Sequence, residues 1–380
     1  MDFTYDDEQL ALREAVRGLL ATTYADHDSR RRTVAEDPGF DRALWGRLAE
    51  MGVLGLPFSE EHGGVGAGPV EIGIVCRELG RVLAPEPYLA SVVHAGGLVA
   101  AVGTPAQKAD LLGRLSAGEL VLAAAGTAPG TGRASGAAGV RASVSGDAWT
   151  LDGVADPVVG GESADVLVVT AALPDDAGTG VFLVESGAAA VTGYAAADLT
   201  RAASVRFDAS DATPLGEPGR DLRASVATIA DLTRIMGANQ ALGVMESQVR
   251  ATTDYLKSRK QFGVTLNTFQ ALTFRAADMY VSLELATSVV DWATMTIAGG
   301  DRHAVADAAD RAGLQVSRAG RHIGQEAIQL HGGIGMTAEY AVGVGTAHLE
   351  VLDQWLGNGL HHLSRLSARV TDHDLVEALS

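Results

Sequence analysis

The sequence predicts an α+β chain of three successive domains: helical, then β, then helical again. Three observations carry that prediction. Apolar residues recur at helical spacing up to about residue 117, short alternating runs broken by Gly, Asp and Pro fill the stretch to about 218, and long helical stripes follow. The expected domains are therefore 1–117, 118–218 and 219–380. Grouped strands, rather than strands alternating with helices, argue against one doubly wound sheet.

In the first domain Leu10, Ala11, Val16, Leu19 and Leu20 mark a helix. A second runs from Phe40 to Met51, with Leu44, Leu48 and Met51 on one side and Gly52 as its stop. LPFSEEHGGVGAGP (56–69) is too rich in Gly and Pro for a regular element and predicts a loop. Helices resume over 70–83 and after Pro87. In the middle domain VRASVSGDAWTLDGV (140–154) sets Gly146-Asp147 between two alternating runs, a hairpin pattern. Further strands are expected at 165–173, 180–185 and 204–209. In the last domain Leu242, Met245, Val249 and Leu256 form one stripe, and Leu272, Met279, Leu283 and Val290 a second.

Composition removes several classes of function. A chain of 380 residues with 47% hydrophobic and 20% charged residues is globular and long enough for a large core. Arg and Lys total 29 against 47 Asp and Glu, a net charge of −18. That balance disfavours nucleic acid and anionic lipid, both of which need a basic face. The single Cys76 excludes an internal disulfide and any multi-cysteine metal cluster. Ten histidines include no H-E-x-x-H pair, and His361-His362 are adjacent, so no metal site is expected. MDFTYDDEQL at the start has no secretory pattern, and apolar runs such as LVLAAAG (120–126) are too short to span a bilayer. A cytoplasmic protein is expected.

GTGRASG (130–136) has the wrong glycine spacing for a dinucleotide fingerprint, and a strand pattern follows where a helix is required. Neither a phosphate-binding P-loop nor a G-x-S-x-G elbow occurs. Two other segments are more informative. In YLKSRKQFGVTLNTFQ (255–270) a helix ends in a basic cluster, turns at Gly263 and restarts near a Gln. Arg259 offers a guanidinium fork suited to a diphosphate, Phe262 a ring, and Gln270 an amide suited to an adenine edge or ribose. An ordinary basic helix terminus accounts for the same residues. In QEAIQLHGGIGMTAEY (325–340) a helix carrying Gln329 runs into His331, Gly332, Gly333 and Gly335. Glycines there allow close backbone approach to a ligand, and a plain helix–helix turn fits equally well when the segment is taken alone.

Together, R-x-x-F-G…F-Q and Q-x-x-G-G-x-G resemble the acyl-CoA dehydrogenase family. The likeness runs along almost the whole chain, through FTYDDEQLALREAVRGLL (3–20), LWGRLAEMGVLGLPFSEEHGGVG (44–66) and the domain order. It implies that family's fold: a helical domain, a β-barrel or sandwich, and a C-terminal four-helix bundle. It also implies FAD held between two subunits, the flavin ring against one β domain and the adenine and pyrophosphate under the neighbour's two motifs. The residues so assigned are Arg259, Gln261, Phe262, Gln270, Gln329, Gly332, Gly333 and Gly335. Asp231 and Arg234 match positions that contact CoA in relatives.

The departures from the family pattern all fall on one side of the site. Desaturation of a thioester needs a carboxylate to take the α-proton while the β-hydrogen leaves as hydride to flavin. Leu356 stands where the family carries Glu in a Y-E-G-T segment, and Thr233 stands at the alternative base position. The family's T-E-P-G-A-G-S-D loop reads Thr127 to Ala134, and its K-x-W-I-T-N segment reads Val154 to Val159, with Asp156 in place of the aromatic ring. The resemblance therefore implies a non-catalytic subunit of an α2β2 acyl-CoA dehydrogenase. A homologous catalytic partner would supply base and flavin pocket, as in actinobacterial steroid (cholesterol) side-chain degradation, with electron-transfer flavoprotein as the family's acceptor. Two alternatives stand beside it: a homomeric acyl-CoA or acyl-carrier-protein dehydrogenase with Asp353 or Glu350 as base, and a degenerate non-enzymatic scaffold.

Overall fold

The computed structural model describes residues 4–126, 139–337 and 340–372. Its N-terminal domain is helical: α1 (Asp7–Thr23), α2 (His27–Ala35), α3 (Arg42–Glu50), α4 (Pro69–Arg81), a π-helical stretch Tyr88–Gly96 continuing as α5 (Gly97–Val102), and α6 (Pro105–Ser116). Side-chain caps set several starts. Asp6 and Gln9 form a capping box on α1, and Thr104 and Gln107 another on α6. The helix expected from Phe40 begins at Arg42, because the Asp41 carboxylate accepts from the backbone N–H groups of Ala43 and Leu44. Phe40 instead packs edge-on against Trp45, with ring centroids 6.0 Å apart.

The middle domain holds β1 (Leu122–Ala125), β2 (Val140–Ser145), β3 (Ala148–Val159), β4 (Val166–Ala172), β5 (Thr179–Glu185), β6 (Ala190–Ala195) and β7 (Arg201–Pro214). The pairings β4–β5, β5–β7, β7–β3, β3–β2 and β2–β4 close a ring, with β1 parallel to β4 and β6 on the flank of β7. Closure explains why β7 is longer than the run expected at 204–209: it pairs with β3, β5 and β6 in turn. Inside lie Leu151, Ala155, Val158, Leu167, Val169, Phe182, Val205 and Phe207.

The C-terminal domain contains α7 (Arg223–Ser258), a two-residue-per-strand hairpin β8 (Lys260–Gln261) and β9 (Val264–Thr265), α8 (Gln270–Ala298), α9 (Arg302–His331), α10 (Ala341–Leu356) and α11 (Gly359–Ala368). Helix α7 packs against α4, α8, α9 and α10, so it buries residues on every side and is the axis of the molecule. The three domains meet at one fully buried carboxylate. Asp198, in the loop before β7, accepts from Nδ1 of His348 on α10 at 2.5 Å and from the Thr200 hydroxyl at 2.7 Å. Its backbone carbonyl accepts from Arg30 on α2 at 2.9 Å. Among the described residues no helix is long and apolar enough to cross a membrane.

Candidate functional site

The two sequence motifs lie at one end of the C-terminal helices. Helix α7 ends at Arg259, whose N–H donates to the Tyr255 carbonyl at 2.8 Å while its own carbonyl accepts from Leu266 at 2.9 Å. The hairpin then reverses through Phe262 and Gly263, both left-handed with φ of 53° and 84°. Gly263 takes that conformation freely, whereas Phe262 is held in it. Its ring is 92% exposed, touching Phe269 edge-on at 6.3 Å. Gln261 sits on β8, Gln270 opens α8, and both side chains are exposed, as is that of Arg259.

Gln329 lies exposed in the last turn of α9. Gly332 caps that helix with φ 65°, and a Cβ added there or at Gly333 would meet no atom, which leaves the backbone open to a ligand. Gly335 is closed instead: a Cβ there would lie 3.0 Å from the Ile328 carbonyl and 3.1 Å from the His331 Cβ. The motifs are joined by the His331 ring, stacked on Tyr255 with centroids 4.5 Å apart, and by the Arg275–Glu326 ion pair between α8 and α9 at 2.5 Å. One exposed surface thus carries a guanidinium, three amides, an aromatic ring and open backbone. Those are donors and a stacking face for the adenosine diphosphate half of FAD.

The positions expected for a base are different. The Leu356 side chain closes the C-terminal end of α10 and lies over Gly237 of α7, where an added Cβ would stand 2.1 Å from a Leu356 methyl and 3.3 Å from Leu89. Thr233 is fully buried, and its hydroxyl donates to the Ile229 carbonyl at 2.7 Å. Neither position offers a proton acceptor. Asp231 and Arg234 are buried together as an ion pair, with Arg365 3.6 Å from the Asp231 carboxylate. Burial pushes Asp231 up against the pull of both arginines and pushes Arg234 down.

The flavin-ring side is only partly described, since Thr127–Ala134 lie outside the described residues. In β3 the Asp156 carboxylate is exposed and accepts from the Tyr194 hydroxyl at 2.8 Å, and Val158 points into the β core. An anionic carboxylate and an inward valine give an isoalloxazine neither a stacking face nor a hydroxyl donor. Among the described residues, those whose chemistry fits FAD are the ones facing its adenosine diphosphate half.

Two hollows flank α10. The recess bordered by all three domains, reaching Val159 and Gly160 of the β domain, Leu89 and Trp355, has a volume of only 70 Å³. The larger cavity, 510 Å³, lies among α7, α9 and α10 and is lined by Leu356, Gly237, Arg234, Asp353 and Glu350. Asp353 is raised by burial and by Glu350, with Ser317 and Arg321 opposing. Sequence reading missed Tyr255, His331 and Tyr340 as a connected unit, and also the buried Asp198–His348 pair, whose members have no local spacing to reveal them.

Comparison with known proteins agrees with this fold. The acyl-CoA dehydrogenase N-terminal domain model matches residues 6–119, and the acyl-CoA dehydrogenase C-terminal domain model matches residues 223–370. The chain belongs to the acyl-CoA dehydrogenase family. It is 33% identical to the acyl-CoA dehydrogenase IpdE2 of Mycobacterium tuberculosis over 89% of both chains. In structure it resembles a chain of the ChsE4–ChsE5 complex from Mycobacterium tuberculosis, with a TM-score of 0.88, 25% identity, and coverage of 99% of this chain and 100% of that one. It also resembles a variant of the Tcur3481–Tcur3483 steroid acyl-CoA dehydrogenase, with a TM-score of 0.85, 27% identity, and coverage of 96% and 98%.

Proposed function

We propose that this acyl-CoA dehydrogenase chain is the non-catalytic subunit of a heteromeric, FAD-dependent enzyme that desaturates a bulky acyl-CoA thioester, with a steroid side-chain CoA ester as the substrate class. Two observations carry the reading together: Leu356 seated on Gly237 at the position expected for the carboxylate base, and a separate surface that keeps Arg259, Gln329 and the open glycines. FAD, when bound, supplies the hydride acceptor. Arg259 holds the diphosphate, Gln270 and Gln329 the adenosine, and the Gly332–Gly333 backbone lets it approach. The partner supplies the base and the ring pocket. The recess bordered by all three domains, where an acyl chain would meet a flavin ring on the β domain, holds 70 Å³ against the roughly 300–1,000 Å³ of ordinary ligand sites, which supports the absence of an acyl slot at that place.

The surface around the clamp supports a protein partner. Phe262, Met336 and Phe274 are 92%, 74% and 64% exposed, an apolar rim that water alone would leave unsatisfied. Two structural relatives are named as a two-component complex and a steroid dehydrogenase, which supports the heteromeric form and the substrate class. A cytoplasmic location and electron-transfer flavoprotein as acceptor belong to the same reading.

A homomeric enzyme using Asp353 or Glu350 is the second reading, favoured by the raised Asp353 carboxyl on the 510 Å³ cavity. No described β-domain residue lines that cavity, which counts against a base there acting on a thioester next to a flavin ring on the β domain. Expression alone and with a co-encoded homologue distinguishes the readings. Flavin and thioester desaturation only on co-expression, at one flavin for every two chains, is the expected result. A yellow, active homo-oligomer of this chain would falsify the split site, and no flavin in either preparation would favour the scaffold.

A further inference from the structure

We infer that His331 is the positioning residue of the nucleotide clamp, a ring that sets the basic hairpin and the glycine turn at a fixed separation. The inference rests on the clamp reading above and concerns how that clamp is built. His331 is the last residue of α9 and is 3% exposed. One face stacks on Tyr255 at 4.5 Å and 30°, and Tyr340 leans on it at 5.0 Å and 51°. Tyr255 is one turn before Arg259, and the Tyr255 carbonyl accepts the Arg259 N–H. On the other side Gly335 packs against the His331 Cβ so closely that a methyl there would stand 3.1 Å from it. A single ring therefore touches both segments that carry the proposed nucleotide contacts, and no other described aromatic contact joins them.

The hydrogen bonding fixes the ring in one orientation. A carbonyl only accepts, so the 2.8 Å contact with Ala327 places the proton on Nδ1. Nε2 is then a buried acceptor with no protein partner among the described residues. Burial lowers the imidazole below its ordinary value, with the Ala327 bond opposing, so the ring is neutral at pH 7. A neutral ring between two tyrosines acts as a spacer, and its contribution to binding runs through Arg259.

The test is a double-mutant cycle on FAD affinity, read by flavin fluorescence in whichever preparation holds flavin, this chain alone or with its co-expressed partner. Arg259→Ala and His331→Leu are each expected to weaken FAD about tenfold, and the double variant by well under the product of the two, because an unpositioned Arg259 has less to lose. His331→Phe keeps both ring contacts and is expected to restore most of the affinity that Leu loses. If the two losses multiply, or if His331→Leu leaves affinity unchanged while Arg259→Ala lowers it, His331 does not position the clamp. If Arg259→Ala is without effect, the clamp reading itself fails. Should His331→Leu not fold, Tyr255→Leu interrupts the same stack from the other ring and enters the same cycle.

Discussion

A Leu356 methyl lies over the bare Cα of Gly237, so on the proposed reading hydrocarbon stands at the base position. Leu356→Glu would place a charge in that contact without a partner, at an expected cost of about 2–4 kcal/mol in urea unfolding. The variant alone is expected to show no desaturation in an acyl-CoA assay, because the ring side still presents Asp156 and Val158; measurable turnover would sink the split-site reading. Glu86 offers a cleaner measurement. Its carboxylate accepts from the Tyr24 hydroxyl at 2.6 Å and from the Asp41 N–H at 3.2 Å, and its second oxygen has no partner among the described residues. Burial pushes the group up to about 7 from 4.5, against the opposing bond from Tyr24. Between those values the native state holds a proton that the unfolded chain has released, so Glu86 subtracts stability progressively as pH rises through that window. Glu86→Gln carries no such term. Its stability relative to wild type should rise between pH 4.5 and pH 8, by roughly 1–3 kcal/mol, in paired urea melts; a pH-independent difference would show that the carboxyl titrates normally.

Among the elements, the β8–β9 hairpin places a costly residue where the isolated chain gains nothing from it. A bulky side chain at positive φ costs about 1–3 kcal/mol, and the Phe262 ring recovers little while 92% exposed. Phe262→Gly is expected to stabilise the isolated chain by about 1 kcal/mol and to weaken flavin retention in the complex. A variant that loses stability, or one that keeps its flavin, would show that the ring serves only the chain itself. Helix α8 poses a related question, because Phe274, Val281 and Leu285 share one face and are all more than half exposed. Leu285→Glu should leave the melting of the isolated chain nearly unchanged while reducing the assembled mass in light scattering. The long helices were legible because a stripe such as Leu242, Met245, Val249 and Leu256 is a periodic signal, and all four are buried. Strand β6 was not, since five of its six residues are exposed and it pairs, among the described residues, with β7 alone. The two motifs were legible as residue types, but the His331 stack between them depends on how α7 meets α9, which no local spacing encodes.

In the whole molecule, the order of domains follows from composition, whereas their attachment depends on residues scattered at 30, 198, 200 and 348. Asp198 receives a C-terminal imidazole and a β-domain hydroxyl on its carboxylate, and an N-terminal guanidinium on its backbone carbonyl. Burial alone would raise that carboxyl, but the bonds from His348 and Thr200 hold it well below the ordinary carboxylate range. A depressed native value means that its stabilisation is present above the unfolded value of 3.8 and is lost as pH falls through the native one. Asp198→Ala leaves the His348 Nδ1–H without its acceptor, yet spares the backbone carbonyl that Arg30 uses. The expected cost at neutral pH is about 3 kcal/mol, shrinking under acid as the wild-type group is itself neutralised. The loss should also be local. If Asp198 fastens the β domain to α10, hydrogen exchange in the variant rises most at β7 and along α10 near His348, while the α7 axis, packed also on α4, α8 and α9, stays protected. Exchange that rises equally in all three domains would mean that Asp198 supports the fold as a whole and is not a fastening between its parts.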